Sequence, residues 1–237
     1  MNAKDKECID HFNNKSKEWS TLYNRPNFKD RLNVFLQELQ SVLPAPSRIL
    51  DYGCGAGVIS FAIAEKGYEV VGVDGATGMI EAAELERMRK KIDNVSFAVD
   101  QSNGKKIADN SFDAIVCSSV IEYVEDDKKL LEDLIRIIRP GGWLLFSVPH
   151  SHSLIGQLED ILVRIGLRGN RQHNADVFYA NRRYNISVLQ DFLKFRKMSN
   201  FSIKYYEIPK LGRMGVFLAR LQLFGIMALV KAQKLQR

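Results

Sequence analysis

Asp51, Gly53, Gly55 and Gly57 stand in the run Arg48-Ile-Leu-Asp-Tyr-Gly-Cys-Gly-Ala-Gly57-Val58 and are the residues best placed to do chemistry. Alternate glycines let bare backbone approach a ligand at distances that a Cβ would forbid. An apolar run before them reads as a buried strand, and the apolar spacing after Gly57 reads as a helix. That helix would turn its free N–H groups and positive dipole end toward the turn. The carboxylate of Asp51 changes which ligand fits. It would repel a pyrophosphate, as in a nicotinamide dinucleotide, and would suit an ammonium or sulfonium, as in S-adenosylmethionine.

The following residues bear on that choice. Tyr68 to Val73 reads as a second strand ending in Asp74, placed to accept hydrogen bonds from two ribose hydroxyls. A dinucleotide fingerprint needs Gly-x-Gly-x-x-Gly, and the phase of the three glycines here differs, with Val58 following Gly57. The segment Asp51-Tyr-Gly-Cys-Gly-Ala-Gly57 followed by Asp74 resembles motif I and the acidic loop of class I S-adenosylmethionine-dependent methyltransferases. Further stretches are similar to the later landmarks of that class in the same order. These are Val95 to Asp100, Asn110 to Val124, and Arg139 to Pro149. The resemblance covers roughly residues 15–150 and within the class is greatest to the ubiquinone-biosynthesis and type 11 small-molecule branch.

The resemblance implies a Rossmann-like, seven-stranded α/β sheet with helices on both faces and S-adenosyl-L-methionine as cofactor. Carried over position by position, Gly53, Gly55 and Gly57 would pass beneath the methionine and ribose portions, with Asp51 directed at the cationic end. Asp74, with Gly75 beside it, would hold the ribose diol, and Met79 would lie against adenine or ribose. Asp100 would accept from the adenine amino group, with Gln101 adjacent, and Ser118 would approach the methionine through its backbone. Arg31 would reach the cofactor carboxylate, and Trp19 and Tyr23 would form a lid over the site. Plain structural alternatives stand beside these roles: tight-turn geometry for Gly53, Gly55 and Gly57, helix core for Met79, a strand-end cap for Asp100, a surface arginine for Arg31, and an amino-terminal helix seam for Trp19 and Tyr23.

Methyl transfer from a sulfonium is an in-line displacement, so such a site has mainly to align the reactants and exclude water. A base is needed only to take a hydroxyl proton. The related branch often carries Leu-Glu-His-Val after its fourth strand, where this chain has Ile121-Glu122-Tyr123-Val124. Tyrosine, with an ordinary pKa of about 10, is a poor base at neutral pH. His150, just past the fifth strand, is the first candidate and His173 the second, because histidine titrates near working pH; Glu122 is a third, as base or as ligand to a divalent metal. His152 is also near. No Asn/Asp-Pro-Pro-Tyr motif follows the fourth strand, which reads Ser118-Ser-Val-Ile121 and argues against methylation of nucleic-acid amino groups.

The spacing places helices at 11–43, 57–66, 76–91, 126–138 and 187–199. Strands are expected at 47–52, 68–74, 94–99, 111–118, 141–149, 202–208 and 225–233, and the resemblance implies that the last is antiparallel. On the leading helix Phe28, Leu32, Phe35, Leu36 and Leu39 share one face. The organisation reads as one domain over 1–237. It comprises a helical lid over 1–46, a cofactor-binding core over 47–149, a substrate cap over 150–186, and a closing helix and strands over 187–237.

The net charge of +6 is unevenly spread: residues 160–237 hold fifteen Lys and Arg against four Asp and Glu, a net of +11. The excess reads either as a solvated basic face or as a site for an anionic partner, an acidic small-molecule acceptor or a membrane surface, while the scatter of the basic residues speaks against nucleic acid. Val216 to Phe224 could form an amphipathic interfacial helix, although Arg213 and Arg220 argue against a spanning one. Cys8, Cys54 and Cys117 make no metal-ligand pair, and Met1 to Glu7 has no apolar run of a secretory signal, so a cytoplasmic setting is expected. These features point to methylation of a hydroxyl on a small or lipid-like anionic acceptor. An N- or C-methyltransferase of the same fold, or a non-catalytic cofactor-binding subunit, is the alternative.

Overall fold

The computed structural model describes residues 3–154, 157, 182–206 and 225–236. Among the described residues there are six α-helices and seven strands: α1 (Ala3–Trp19), α2 (Pro26–Gln40), β1 (Arg48–Tyr52), α3 (Val58–Ala64), β2 (Glu69–Asp74), α4 (Thr77–Lys90), β3 (Val95–Val99), β4 (Phe112–Ser118), α5 (Asp127–Ile137), β5 (Ile138–Pro149), α6 (Ile186–Phe195), β6 (Met198–Tyr206) and β7 (Met227–Lys234). The strands form one sheet in the order β3-β2-β1-β4-β5-β7-β6. The first five strands pair in parallel, and β7 inserts antiparallel between β5 and β6. The strand order reverses between β1 and β4, so a crevice opens at the carboxyl ends of those strands.

Parallel central strands are covered on both faces, which is why β1 and β4 read as continuous apolar runs. One face is packed by α5 and α6 through Leu130, Leu134, Leu189 and Leu193, the other by α2 and α3 through Phe35, Leu39, Phe61 and Ile63. Asp126 starts α5 by accepting from the Lys129 N–H at 3.0 Å. Lys234 on β7 closes the same helix, donating to the carbonyls of Ile135 at 2.9 Å and Ile138 at 2.6 Å.

The expected helix over 11–43 is two helices. The first begins at Ala3, and a 3-10 turn over Ser20–Asn24 separates it from the second. The physical reason is Pro26: Arg25 before it is extended (φ −77°, ψ 145°), and the proline occupies the first turn of α2. At the other end, β6 starts at Met198 rather than 202: Lys197 takes a left-handed conformation just past α6, and Asn200 takes another at the bulge where the β6–β7 register shifts. Most of the expected cap (155, 156 and 158–181) lies outside the described residues, as do 207–208 and the interfacial helix of 216–224. No helix among the described residues is long and apolar enough to cross a membrane.

One buried ion cluster fastens α2 to the far edge of the sheet. Glu38 on α2 meets Lys231 of β7 at 2.6 Å and also Lys204 of β6, while Lys231 donates to Ser41 at 3.0 Å. Burial would raise the Glu38 carboxyl, but the hydrogen bonds from the two lysines outweigh it and hold the group below its ordinary value. A depressed carboxylate contributes stability above its unfolded pKa of about 4.3 and loses it as the pH falls through the folded value. Glu38→Gln should therefore destabilise the fold by about 3 kcal/mol at pH 7 by leaving Lys231 buried and unpaired. In denaturant titrations that difference should shrink below about pH 4; a gap that is independent of pH would contradict the ion-pair account.

Candidate functional site

β1 delivers the chain to the crevice, and β2 holds the turn that follows. The N–H groups of Gly53 and Cys54 both donate to the Val73 carbonyl, at 2.7 and 3.0 Å. Asp74 then ties two segments together: one carboxylate oxygen accepts from Gly55 N at 2.9 Å and the other from Ala76 N at 2.8 Å. Gly53 and Gly55 have φ of +73° and +53°, which L side chains rarely adopt. Protein atoms crowd them as well: a Cβ on Gly53 would run into Val120, and one on Gly55 would come within 2.7 Å of the Trp19 indole nitrogen. Asp51 is buried beneath the turn and accepts from the Ser60 hydroxyl of α3 at 2.5 Å.

These carboxylates are unusual in charge balance. Burial, reinforced by the charge of Asp74, pushes Asp51 up to about 7 against the lowering effect of Ser60. Asp74 is also raised by burial, partly offset by its backbone N–H bonds. Their named partners are a hydroxyl and amides rather than Lys or Arg. A cation entering here would relieve that penalty.

α1 roofs the same place. Its apolar residues Ile9, Phe12 and Trp19 pack with Ala56, Ala76 and Met79, so that Met79 is fully buried in the seam between α1 and α4. Asn13 accepts from Gly78 N at 2.9 Å in the first turn of α4, and Asp5 accepts from Glu125 N at 3.1 Å in the loop after β4. Cys8 lies inside this roof, its thiol pushed up to about 12 by burial and then by the charges of Asp5 and Asp74. The sequence reading began this helix too late and missed Asp5 and Asn13. The spacing Ile9, Phe12, Ser16, Trp19 was the available signal. Tyr23 packs edge-on against Phe28 at 5.1 Å, and the Arg31 guanidinium lies 4.8 Å over the Phe28 ring.

At the end of β3 the Asp100 carboxylate turns back on its own loop, accepting from Ser102 N at 2.9 Å, Ser102 Oγ at 2.5 Å and Gly104 N at 2.7 Å. Its backbone N–H joins Asp74 O at 3.0 Å, and Gln101 donates to the Gly75 carbonyl at 3.1 Å. An open depression of roughly 450 Å³ adjoins them, with Lys105 and Lys106 on its rim. Ser118 ends β4 opposite Ser147, and the Ser118 hydroxyl is buried.

The other end of the crevice is basic and aromatic. His150 is 5% exposed, its ring 4.7 Å from that of Tyr205 and 5.7 Å from that of His152. Burial lowers its pKa, and His152 and Arg183 lower it further. Its Nδ1 has no hydrogen-bond partner among the described residues. The segment returning from the cap is stitched here: Tyr184 N donates to the Pro149 carbonyl at 2.8 Å, and Ser151 N to Tyr184 O at 3.0 Å. The Tyr184 hydroxyl donates to Asp127 at 2.8 Å, and Asp127 also pairs with Arg182 at 3.1 Å. None of Asp127, Arg182, Arg183 or Tyr184 was singled out from the sequence, where nothing but their charge or ring marks them. Glu122 is buried in the 3-10 turn Ile121–Tyr123. Among the described residues no group of three or more His, Cys, Asp or Glu is placed to hold a metal ion. His173 lies outside the described residues.

Comparison with known proteins fits this arrangement. A family model described as a methyltransferase domain matches residues 45–175, more than half of the chain. A curated relative named ubiquinone biosynthesis O-methyltransferase, from Paracidovorax citrulli, is 32% identical over 103 residues, 42% of each chain. The matched region thus spans less than half the length of that relative. Among solved structures, a putative methyltransferase from Haloferax volcanii in complex with the Trm112 activator superposes with a TM-score of 0.67 at 16% identity, covering 95% of this chain and 98% of that one. The Haemonchus contortus phosphoethanolamine N-methyltransferase 2, solved with S-adenosyl-L-methionine, superposes with a TM-score of 0.62 at 21% identity, over 86% of this chain and 53% of that one. The chain belongs to the methyltransferase-domain family, with the class I fold of enzymes that use S-adenosyl-L-methionine.

Proposed function

We propose that this chain transfers a methyl group from S-adenosyl-L-methionine to a hydroxyl of a small or lipid-like anionic acceptor. The observation that carries the cofactor half is the acid pair at a glycine turn, Asp51 buried and Asp74 half-buried, which fits a ligand bearing sulfonium and ammonium charge and opposes a pyrophosphate. The Asp74 carboxylate takes the backbone N–H groups of Gly55, Ala76 and Gly75, and its two oxygens keep acceptor capacity for the hydroxyls of a ribose. Gly53, Gly55 and Gly57 would underlie the methionine and ribose, with Ser118 nearby. Gly75, Met79, Asp100 and Gln101 would bound the adenine, and Arg31 would meet the carboxylate.

When bound, S-adenosyl-L-methionine supplies a methyl group already activated on a sulfonium. The chain's own part is to hold the acceptor in line and remove its proton. His150, whose pKa is lowered, is neutral at pH 7 and able to accept that proton; His173 and Glu122 are the other candidates. The hydroxyl is favoured by the names of the relatives. An anionic acceptor is favoured by the excess of Lys and Arg over residues 160–237, among them Arg183 near the His150 ring.

Thermal denaturation with S-adenosylhomocysteine and with NAD in parallel tests the cofactor. A ligand at 100 times its Kd stabilises by about 2.7 kcal/mol, so S-adenosylhomocysteine should raise Tm in the wild type and fail to do so in Asp74→Ala. A rise with NAD alone would overturn the reading. His150→Ala should lower kcat by roughly 10²–10⁴-fold on a phenolic acceptor while sparing S-adenosylhomocysteine binding.

The raised Asp51 gives a second test. In the folded chain it keeps a proton between about 3.9 and about 7 that the unfolded chain has already lost, so stability falls as pH rises through that window. Asp51→Asn should therefore be more stable than the wild type at pH 8, with the gap closing toward pH 4. The same variant should bind S-adenosylmethionine about tenfold more weakly, one pKa unit of coupling. A variant less stable than the wild type at pH 8 would contradict this account.

A further inference from the structure

Three aromatic rings connect the two turns between which, on the cofactor reading above, methyl donor and acceptor meet. Trp19 lies directly on the glycine turn after β1, against Gly55. Phe12, two helical turns earlier on α1, meets the Trp19 ring edge-to-face at 5.4 Å with an interplanar angle of 89°. It meets Tyr123, in the turn after β4, in the same way at 5.3 Å and 89°. Consecutive rings thus stand perpendicular, like adjoining walls, from Gly55 to Tyr123. Acidic groups border the same space, since Asp5, Asp74 and Glu122 all act electrostatically on Cys8, one turn before Phe12.

A sulfonium carries charge but no N–H, so a hydrogen-bond acceptor cannot single it out by donor geometry. An aromatic face can, because its quadrupole attracts a cation more strongly once water is excluded. Methyl transfer breaks the S–CH₃ bond, forms the O–CH₃ bond and leaves the bonding pair on sulfur. The donor is therefore a cation at the very position where the product is a neutral thioether.

We propose that Trp19, Phe12 and Tyr123 form an aromatic wall that recognises the sulfonium charge, so that the site holds S-adenosylmethionine more tightly than S-adenosylhomocysteine. This rests on the cofactor reading and adds a specificity determinant to it. The tyrosine that stands where the related branch often has histidine then belongs to donor selection, and the proton passes to a base elsewhere. The consequence is a product that leaves readily.

The test is calorimetric titration of the full chain with S-adenosylmethionine, S-adenosylhomocysteine and sinefungin, which bears an ammonium where the donor has its sulfonium. Trp19→Leu and Tyr123→Leu should weaken both cationic ligands by about 5- to 30-fold and leave S-adenosylhomocysteine nearly unchanged. Trp19→Phe, which keeps an aromatic face, should retain most of the preference. Equal losses for all three ligands, or no loss, would show that the rings merely pack α1 and would overturn the proposal. Fluorinated tryptophan provides a shape-preserving check in a Trp143→Phe background, where Trp19 is the remaining tryptophan. Increasing fluorination should progressively weaken only the cationic ligands, and a flat series would count against the wall. Binding of none of the three ligands by the wild type would instead remove the cofactor reading itself.

Discussion

The carboxylate of Asp74 is the constraint on which the site depends. It stands half-buried at the end of β2 and accepts N–H groups from the turn after β1 and from the segment leading into α4. Its backbone carbonyl takes a third N–H, from Asp100 at the end of β3. Three consecutive strand ends are thereby set relative to one group. A buried carboxylate is costly unless its oxygens are satisfied, and here the satisfying groups are the loops that would surround a ligand. The turn geometry and the burial of charge are parts of one arrangement.

Charge is partitioned along the crevice. The end over β1 and β2 holds Asp51 and Asp74, and the end over β5 holds the guanidinium of Arg183 beside His150. A cationic donor and an anionic acceptor would each meet the complementary end, and the opposed fields would orient both before any contact forms. Raised carboxylates destabilise the ligand-free chain, an expense commonly seen where binding rather than folding sets the residue. Burial first, and then His152 and Arg183, lower the pKa of His150 at that end.

Much of the fold was legible because its signals are local. Strand–turn–helix alternation from Arg48 onward follows from apolar periodicity and turn chemistry, while the antiparallel last strand was implied only by the family resemblance. The leading helices were less legible: the polar sequence of Ala3 to Asp10 hides a start that is stabilised by tertiary contacts of Asp5 and Asn13. Asp100 shows another limit. A strand-end acid reads the same whether it caps its loop or awaits a ligand, and here it caps the loop through Ser102 and Gly104. Met79 likewise is wholly buried against α1, a placement set by a helix seventy residues away in sequence. The cluster of Arg182, Arg183, Tyr184 and Asp127 was not legible because its members come together only when the chain returns from the cap to β5.

The central claim is that the ligand site is the cleft beneath α1, at the carboxyl ends of β1 and β2. Hydrogen exchange followed by peptide mass spectrometry, with and without saturating S-adenosylhomocysteine, tests it most directly. The account predicts slowed exchange in three places: the turn Gly53–Gly57, the segment Asp74–Met79, and α1 from Cys8 to Trp19. Unchanged exchange at those three, with protection confined to other strands, would contradict it.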